Sequence, residues 1–479
     1  MMPGLTLNLG VRWEFDSPMR DLNGRFNGFD PTAINPVSGT PGVVKFGGKN
    51  GYRDTMWDPD YNNFGPRVGF AWKPGRLPST VIRGGCGVFF AHPFDRAVPN
   101  AASLGFEKAL NLVVLGNVET VPYTLTNNLP QVDPKTPVLD DRYGAVRVGT
   151  AATNAITFFE TNRRTGYSQQ FSLRIEREVW GGTLFEAAYI ANLSKKLPSS
   201  NLPINQIRPE LMMAGSGKAQ RPFPQFSNVS IIAPNIGVST YHALGLRGEK
   251  RFSKGFNILA TYTFSKFLEN ADAGAAGLGD EGAAYSNFYN RRADYGPSEN
   301  DIRSRFTWSS VYQLPFGKGR RFLTEGMGGK VLGGWSIGAV MLLQSGPPIT
   351  VATQQTTTFS NSAGALRADV IKEPNLPVGE RNIYRWFDTS AFRQPVNYTF
   401  GNQGVGIVRR PGVINLNTSL IRTFRFLERY QLQFRWEAFN LANHANFGTP
   451  GRVYEGPGFG IISSARAARQ IKVGMRRTF

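Results

Sequence analysis

The residue types that most often carry out catalysis are few in this chain and stand far apart. The three histidines are His92, His242 and His444, and no two of them share a motif. A zinc-protease helix needs the sequence His-Glu-x-x-His and a nucleotide phosphate loop needs Gly-x4-Gly-Lys, and the chain contains neither. These observations argue against an enzyme, and we nominate no catalytic, metal-binding or cofactor-binding residue.

Two acidic pairs have the residue types of calcium ligands or of an acid/base pair. They are Asp58-Pro-Asp60 and Asp280-Glu281, in segments rich in Gly or Pro. The favoured interpretation is that they are solvated turn residues, because such segments form turns and loops. Asp301, Arg303 and Arg305 carry both signs of charge at alternate positions. They fit a permeation path and fit a structural charge ladder equally well.

The single cysteine, Cys86, gives no information about the cellular compartment. It cannot form a disulfide within the chain, and it shares an alternating face with Ile82, Val88 and Phe90. Free cysteine commonly behaves as a small apolar residue. We therefore expect Cys86 to fill space on an apolar face.

The last segment of the chain indicates that its secondary structure is β-strand. In a strand, successive side chains point to opposite faces, so strict alternation predicts one apolar and one wet environment. One face of the segment carries Ile471, Val473, Met475, Arg477 and Phe479, and the other carries Gln470, Lys472, Gly474, Arg476 and Thr478. An unpaired edge strand favours aggregation, and closure into a barrel removes the edge. The pattern is typical of an outer-membrane β-barrel.

The same alternation recurs in segments 5–15, 64–73 and 430–438. Membrane barrels place aromatic girdles at both bilayer interfaces and polar residues in the lumen. The apolar faces here are rich in aromatic residues towards the strand ends, namely Trp13, Phe15, Trp72, Phe89, Phe90, Tyr262, Phe264, Phe424 and Phe426. The opposite faces pair Arg174 with Glu176, Arg247 with Glu249 and Arg435 with Glu437. We expect Leu432, Phe434 and Trp436 to face outward and Gln431, Gln433 and Arg435 inward. A soluble basic β-protein with solvated outer faces is the alternative.

The connections between these segments alternate between short and long. The short ones are 73–79, 180–182, 253–255 and 426–429, with a medium one rich in Gly, Arg and Lys near 316–331. The long ones are 16–63, 92–165, 194–237, 268–300, 349–412 and 442–466. This is the pattern of an up-and-down barrel with tight periplasmic turns and long outer loops. It predicts an all-β, antiparallel transmembrane barrel of about twelve strands in one domain, residues 1–479. Loops of this length are usually functional or disordered, and we expect them to contact the substrate.

The charge of the chain is strongly positive. Lys and Arg number 54 against 34 Asp and Glu, for a net charge of +20. Binding to nucleic acid is one explanation, but the chain has no compact basic helix, zinc-ligand spacing or RNA-binding aromatic motif. Rim arginines and lysines that meet anionic lipid and lipopolysaccharide phosphates are a second explanation. An acidic region elsewhere that balances part of the charge is a third. We therefore expect lipid and lipopolysaccharide as partners, and no nucleic acid.

A series of segments resembles one known family. In chain order they are 167–178 (YSQQFSLRIERE), 186–190 (EAAYI), 221–226 (RPFPQF), 241–244 (YHAL), 260–266 (ATYTFSK), 301–306 (DIRSRF), 314–319 (LPFGKG), 333–335 (GGW), 344–348 (QSGPP), 386–392 (WFDTSAF) and 437–444 (EAFNLANH). The set covers nearly the whole chain and resembles the C-terminal barrel half of Oar-like TonB-dependent transporters. The chain end is also similar to the barrel-assembly signal of outer-membrane proteins. Lys472, Gly474 and Phe479 fit that signal, and Arg477 departs from it.

The resemblance implies a fold, a location and partners. Family members have a carboxypeptidase-regulatory-like domain, a plug and a barrel of about 22 strands in the outer membrane. They take up a substrate too large or scarce for diffusion, and the TonB complex acts on the plug. The barrel-assembly machinery is the partner implied for the last strand. A passive outer-membrane channel and an adhesion barrel are alternatives of the same architecture.

The start of the sequence leads to one further expectation. Met1-Met-Pro-Gly4 runs straight into an alternating segment, without the basic and apolar regions of a signal peptide. A surface barrel needs an export signal. We therefore expect the chain to be truncated at its N-terminus, without the plug and the carboxypeptidase-regulatory-like domain.

Overall fold

The computed structural model describes residues 4–20, 26–77, 79–91, 139–253, 255–270, 285–353, 366–426 and 430–478. His92, the Asp280-Glu281 pair and Phe479 lie outside these residues, and so does most of the long connection 92–165. Helix is scarce in the described part, where no helix is long and apolar enough to span a bilayer.

Twelve long strands form one antiparallel sheet in which each strand pairs with the next one along the path. This confirms the predicted all-β class and the strand number. They are β1 (Leu5–Trp13), β4 (Phe64–Trp72), β5 (Thr80–Phe90), β7 (Tyr167–Val179), β8 (Thr183–Pro198), β11 (Asn235–Ser253), β12 (Phe256–Glu269), β14 (Ser304–Gln313), β15 (Trp335–Gln344), β20 (Val413–Phe426), β21 (Tyr430–Phe439) and β22 (Gln470–Thr478).

In the described part of the chain, the ten remaining strands are shorter and belong to the long connections. They are β2 (Asn27–Ile34), β3 (Pro41–Phe46), β6 (Ala155–Phe158), β9 (Leu202–Pro203), β10 (Asn228–Ile231), β13 (Gly296–Pro297), β16 (Pro348–Ile349), β17 (Asp369–Val370), β18 (Phe392–Arg393) and β19 (Val408–Arg409). The described residues contain one α-helix, α1, which spans Gly326–Leu332. Single 3₁₀ turns lie at Trp180–Gly182, Pro209–Leu211, Lys218–Gln220, Arg291–Asp294, Val378–Glu380 and Thr389–Ala391.

The strand register divides the sheet into one apolar and one polar face. Leu432 of β21 pairs with Arg477 and Phe424, whereas Gln433 pairs with Arg476 and Thr423. The same division continues from strand to strand, because directly paired residues share a face. The structure therefore confirms that the two predicted sets of β21 lie on opposite faces.

Short and long connections lie at opposite ends of the sheet, as the sequence predicts. The tight turns sit at one rim, which we call the short-turn rim. Strands β8, β11 and β12 contain 16, 19 and 14 residues. About 9–11 tilted residues cross a bilayer, so these three strands are longer than a crossing requires. They support the long connections.

The first and last strands of the path have one partner each in the described residues. β1 pairs with β4, and β22 pairs with β21. Their apolar side chains are exposed: Leu9 is 69% exposed and Val473 is 64% exposed. The well-packed residues lie instead in the long connections, which therefore hold the cores of the molecule.

Candidate functional site

The acidic pair Asp58 and Asp60 has a structural role. Asp60 is 7% exposed. One carboxylate oxygen accepts a hydrogen bond of 3.0 Å from Nη1 of Arg164, and the other accepts one of 2.9 Å from the backbone N–H of Thr165. Asp58 forms an ion pair with Arg53. Groups of three or more metal-ligating side chains are absent from the described residues. The two carboxylates therefore join loop segments through arginines and a backbone N–H, and the expectation of a solvated turn residue is wrong for Asp60.

Of the residues that the structure describes, His242, His444 and Cys86 lie on three different segments of the fold. His242 lies on the apolar face of β11, where Nδ1 is 2.8 Å from the hydroxyl oxygen of Tyr189. The backbone N–H of His444 donates a hydrogen bond of 3.0 Å to Oδ1 of Asn440 in a loop. Cys86 is exposed on the apolar face of β5, opposite Val68 and Phe171. It sits on the sheet surface and not inside a packed core.

One further sequence pattern resembles a hydrolase motif, and its position in the fold explains it. Residues Gly334–Gly338 have the spacing Gly-x-Ser-x-Gly of a nucleophile elbow. An elbow needs its serine on a sharp turn between a strand and a helix. Ser336 instead lies within β15, paired with Gln313 and Ile421. It is a ladder residue of the sheet.

The structure places Asp301, Arg303 and Arg305 in different surroundings. Asp301 is 2% exposed and forms a short ion pair with Arg409. Its other oxygen accepts a hydrogen bond of 2.8 Å from the N–H of Phe267. Arg303 covers the ring of Phe264, on the apolar face, with its Cζ 5.9 Å from the ring centroid. Arg305, which pairs with Thr263 and Gln344, lies on the polar face. The triplet does not line a common path.

A network of six charged side chains crosses the polar face near the short-turn rim. It spans four neighbouring strands, β5, β7, β8 and β11. We call it the charge ladder, and its members are Arg83, Arg174, Glu176, Glu186, Arg247 and Glu249. Along the chain of contacts, the nitrogen–oxygen distances are 3.4 Å for Arg83–Glu176, 3.8 Å for Glu176–Arg174, 3.4 Å for Arg174–Glu186, 4.0 Å for Glu186–Arg247 and 2.6 Å for Arg247–Glu249. The sequence indicated two of its pairs, but the links through Arg83 and Glu186 depend on register between strands.

The polar face of the last strands carries a smaller set of the same kind. Arg435 donates a hydrogen bond of 3.2 Å to Gln433 and lies 3.5 Å from Glu437. Lys472 of β22 stands directly opposite Glu437. A face with paired charges of both signs suits a hydrated lumen, because dry surroundings would penalise each charge.

Four long connections pack into one folded unit, which we call outer lobe one. Its centre is aromatic: the ring of Phe29 lies 4.9 Å from Phe223, 5.3 Å from Phe158 and 5.9 Å from Phe226 between centroids. These four residues come from three connections. The buried set is Phe29, Val44, Phe46, Ile156, Phe158, Leu202, Ile204, Phe223, Phe226, Val229 and Tyr285. Strands β6, β9 and β10 form a small sheet beside it.

A second unit, outer lobe two, forms from residues 345–353, 366–412 and 440–469. The motif 386–392 supplies much of its core, since Phe387, Ala391 and Phe392 are at most 3% exposed. The indole Nε1 of Trp386 donates a hydrogen bond of 2.7 Å to the carbonyl of Arg409. The side chains of this segment therefore pack the interior of a loop unit.

Ion pairs join segment 285–303 of lobe one to lobe two. Arg367 pairs with Asp294, and both side chains are at least 85% buried. Arg409 pairs with Asp301. Arg410 lies 3.7 Å from Glu299. In every case lobe two supplies the arginine, so the two lobes are held together by charges of opposite sign.

Asp388 and Arg163, both in the loops, have strongly shifted pKa values. The ammonium group of Lys372 and the hydroxyl of Ser390 lower the pKa of Asp388 to about 2. Burial lowers the pKa of Arg163 to about 10. The Arg163 guanidinium lies 5.5 Å from the ring centroid of Trp57 and donates a hydrogen bond of 2.6 Å to Asn235. Both groups remain charged at neutral pH. The hydrogen bonds stabilise the charged form of Asp388, whereas burial disfavours the charged form of Arg163.

Comparison with known proteins identifies a family that the chain matches. Residues 1–472 match a family described as outer membrane beta barrel domain. The comparison with curated proteins gave no match.

Solved structures similar to the chain are named as transporters or receptors. The outer membrane transporter YddB from Escherichia coli is 10% identical, covering 91% of this chain and 42% of its own, with a TM-score of 0.42. The FrpB iron transporter from Neisseria meningitidis (F3-3 variant) is 10% identical, covering 100% and 43%, with a TM-score of 0.43. The ferric-catecholate import receptor Fiu from E. coli K12 is 10% identical, covering 100% and 42%, with a TM-score of 0.41. The chain spans less than half the length of these structures.

Proposed function

The chain belongs to the outer membrane beta barrel domain family, and from that premise we propose that it is the wall and outer surface of an energised uptake receptor. The substrate is too large or scarce to enter by diffusion, and the outer lobes bind it. Energy comes from the TonB complex through a plug domain. The uptake role rests on the family resemblance of the sequence motifs.

The packing of the outer lobes is the observation that carries this proposal. Phe226 and Phe387 are at most 1% exposed, each in the core of a different lobe. Ion pairs such as Arg409–Asp301 tie the lobes together. A diffusion channel needs an open mouth, whereas a receptor needs a preorganised surface that presents binding groups at little entropic cost. Two packed, mutually bound lobes suit the receptor.

We further propose that the twelve strands are part of a wider barrel. In the described residues, the outer edges of β1 and β22 have no strand partner. An unsatisfied backbone N–H or C=O in hydrocarbon costs several kcal/mol. Additional strands that satisfy both edges remove that cost. The same wider barrel would have room for a plug beside the charge ladder.

Two measurements on the protein purified from outer membranes test the proposal. We expect no steady potassium chloride conductance in a planar lipid bilayer, because the plug closes the lumen. We also expect the protein to bind the purified periplasmic domain of TonB. A steady open conductance together with no binding to TonB would favour the passive channel. No conductance and no TonB binding would favour the adhesion barrel.

A further inference from the structure

The connection between β14 and β15 is a compact unit at the short-turn rim. We call residues 314–334 the rim turn. Gly317 has a φ of +101°, and a Cβ there would lie 2.8 Å from Cα of Gly333. The N–H of Gly317 donates a hydrogen bond of 3.0 Å to the carbonyl of Phe322. The N–H of Gly333 donates one of 3.0 Å to Gly329, at the end of α1. Glycines therefore allow close backbone packing, which gives the turn one defined shape.

Side chains of the apolar face hold the rim turn from outside the lumen. The indole Nε1 of Trp335 donates a hydrogen bond of 3.0 Å to the carbonyl of Val331. The guanidinium of Arg422, which faces Trp335 across the ladder, donates to the carbonyls of Lys330 and Val331. Because Trp335 and Arg422 both belong to the apolar face, α1 lies against the membrane side of the wall.

Arg422 is itself suited to a membrane boundary. Its Cζ lies 4.2 Å from the ring centroid of Phe424 and 5.6 Å from that of Trp335. An arginine on a lipid-facing surface is costly near the midplane and tolerated near an interface. Aromatic faces and carbonyl oxygens satisfy this one, and Trp is enriched at membrane interfaces. The contacts place the rim turn at interface level.

The surface that the rim turn displays is apolar and basic. Five large apolar side chains are about half exposed or more: Phe322, Leu323, Met327, Val331 and Leu332. Met327 is 75% and Val331 is 56% exposed, and their spacing of four residues puts them on one side of α1. Lys318, Arg320, Arg321 and Lys330 lie in the same turn with one acidic residue, Glu325. This surface is continuous with the apolar face of the wall.

We propose that the rim turn is an interfacial anchor for phospholipids of the periplasmic leaflet. Met327 and Val331 enter the acyl-chain boundary, and the lysine and arginine side chains contact phosphate groups. Interfacial helices combine an apolar side with Lys and Arg in this way. The charge of the surface and its continuity with the lipid-facing wall favour lipid over a protein partner. The inference rests on the membrane location and stands apart from energised uptake.

A fluorescent probe at position 327 tests the proposal. The protein purified from outer membranes carries a single cysteine labelled with NBD, with other cysteines replaced. Met327→Cys is the test site, native Cys86 is the reference on the lipid-facing wall, and Val378→Cys, at an 84% exposed position in lobe two, is the aqueous control. The vesicles contain phosphatidylethanolamine, phosphatidylglycerol and phosphatidylcholine with a doxyl group near the headgroup.

The probe at 327 is expected to shift its emission to the blue and to lose most of its intensity with the doxyl lipid, as the Cys86 probe does. The Val378 probe is expected to keep its intensity. A 327 probe that behaves like the one at 378, while the Cys86 probe is quenched, overturns the proposal, because the wall is then inserted and the turn is in water.

The basic residues are tested separately. Lys318→Gln/Lys330→Gln is expected to weaken the quenching at 327 in vesicles with phosphatidylglycerol and to leave it unchanged in vesicles of phosphatidylcholine alone. Equal quenching in both lipids before and after the substitutions would overturn the phosphate contacts.

Discussion

Glu176 of β7 stands directly opposite Glu186 of β8, so two carboxylates of like charge face each other across the ladder. Like charges in this position are destabilising. Arg174 relieves the repulsion, since its guanidinium lies 3.8 Å from Glu176 and 3.4 Å from Glu186. The charge ladder is therefore held by an arginine shared between two acids.

Arg174→Gln is expected to lower the free energy of unfolding by about 0.5–1 kcal/mol, because exposed ion pairs are worth little individually. The loss should decrease at high salt, which screens exposed charges. Urea unfolding in lipid vesicles, followed by heat-modifiable gel mobility, measures it. Adding Glu186→Gln removes the repulsion and should restore most of the loss. No recovery in the double variant would contradict the role assigned to Arg174.

The sheet was predictable from the sequence because its two causes are local. Alternation of period two fixes which residues share a face, and a one-residue slip would reverse every side chain. The segment around Leu432, Phe434 and Trp436 shows this, and the alternation of short and long connections gave the strand order. Neither inference needs contacts between distant residues.

The outer lobes and the rim turn were not predictable in this way. Phe29, Phe158 and Phe226 form one core although they come from three connections without periodic patterns. The long loops were expected to be functional or disordered, and the described parts are packed. The sequence Gly326-Met-Gly-Gly329 argues against a helix, since glycine has low helix propensity, yet α1 forms there against Trp335 and Arg422. Tertiary contacts decide both cases.

Phe434→Arg is expected to destabilise the protein in lipid, because Phe434 lies on the apolar face beside Trp335, with ring centroids 5.8 Å apart. The cost of an arginine is about 2–4 kcal/mol at the midplane and about 0–1 kcal/mol near an interface. Because Phe434 lies beside Trp335 and opposite Arg422, we expect a cost towards the lower end. Gln433→Arg, one residue away on the polar face, is the matched control and should cost little. Folding into vesicles compares them. A damaging Gln433→Arg with a harmless Phe434→Arg would reverse the assignment of the faces.

Asp301→Asn is expected to loosen lobe two from segment 285–303. The carboxylate of Asp301 is buried, and removing one partner of a buried ion pair costs roughly 3 kcal/mol. The measurement is the rate of tryptic cleavage within residues 366–411 in the folded protein, followed by mass spectrometry. Asp140→Asn is the control, since Arg142 in the Asp140–Arg142 pair is 66% exposed. Equal cleavage in all three proteins would contradict a bond between the lobes.

The folded state of lobe two should depend on pH through Asp388. Its carboxylate accepts hydrogen bonds from Lys372 and from the hydroxyl and N–H of Ser390, which lower its pKa to about 2 from the ordinary value of 3.8. The folded-state pKa is the lower one, so the unfolded lobe binds more protons between pH 4 and pH 2. The stability that this carboxylate contributes is therefore complete above about pH 4 and is lost as the pH falls towards 2.

Pepsin is active across this range and provides the measurement. Cleavage within residues 366–411 is expected to accelerate as the pH falls from about 4 to about 2, by more than cleavage in the wall strands does. Asp388→Asn has no titrating carboxylate at this position. The variant should be cleaved faster than the natural protein at pH 4, and the difference between the two should shrink at pH 2. A difference that stays constant from pH 4 to pH 2 would contradict the lowered pKa of Asp388 as the source of the effect.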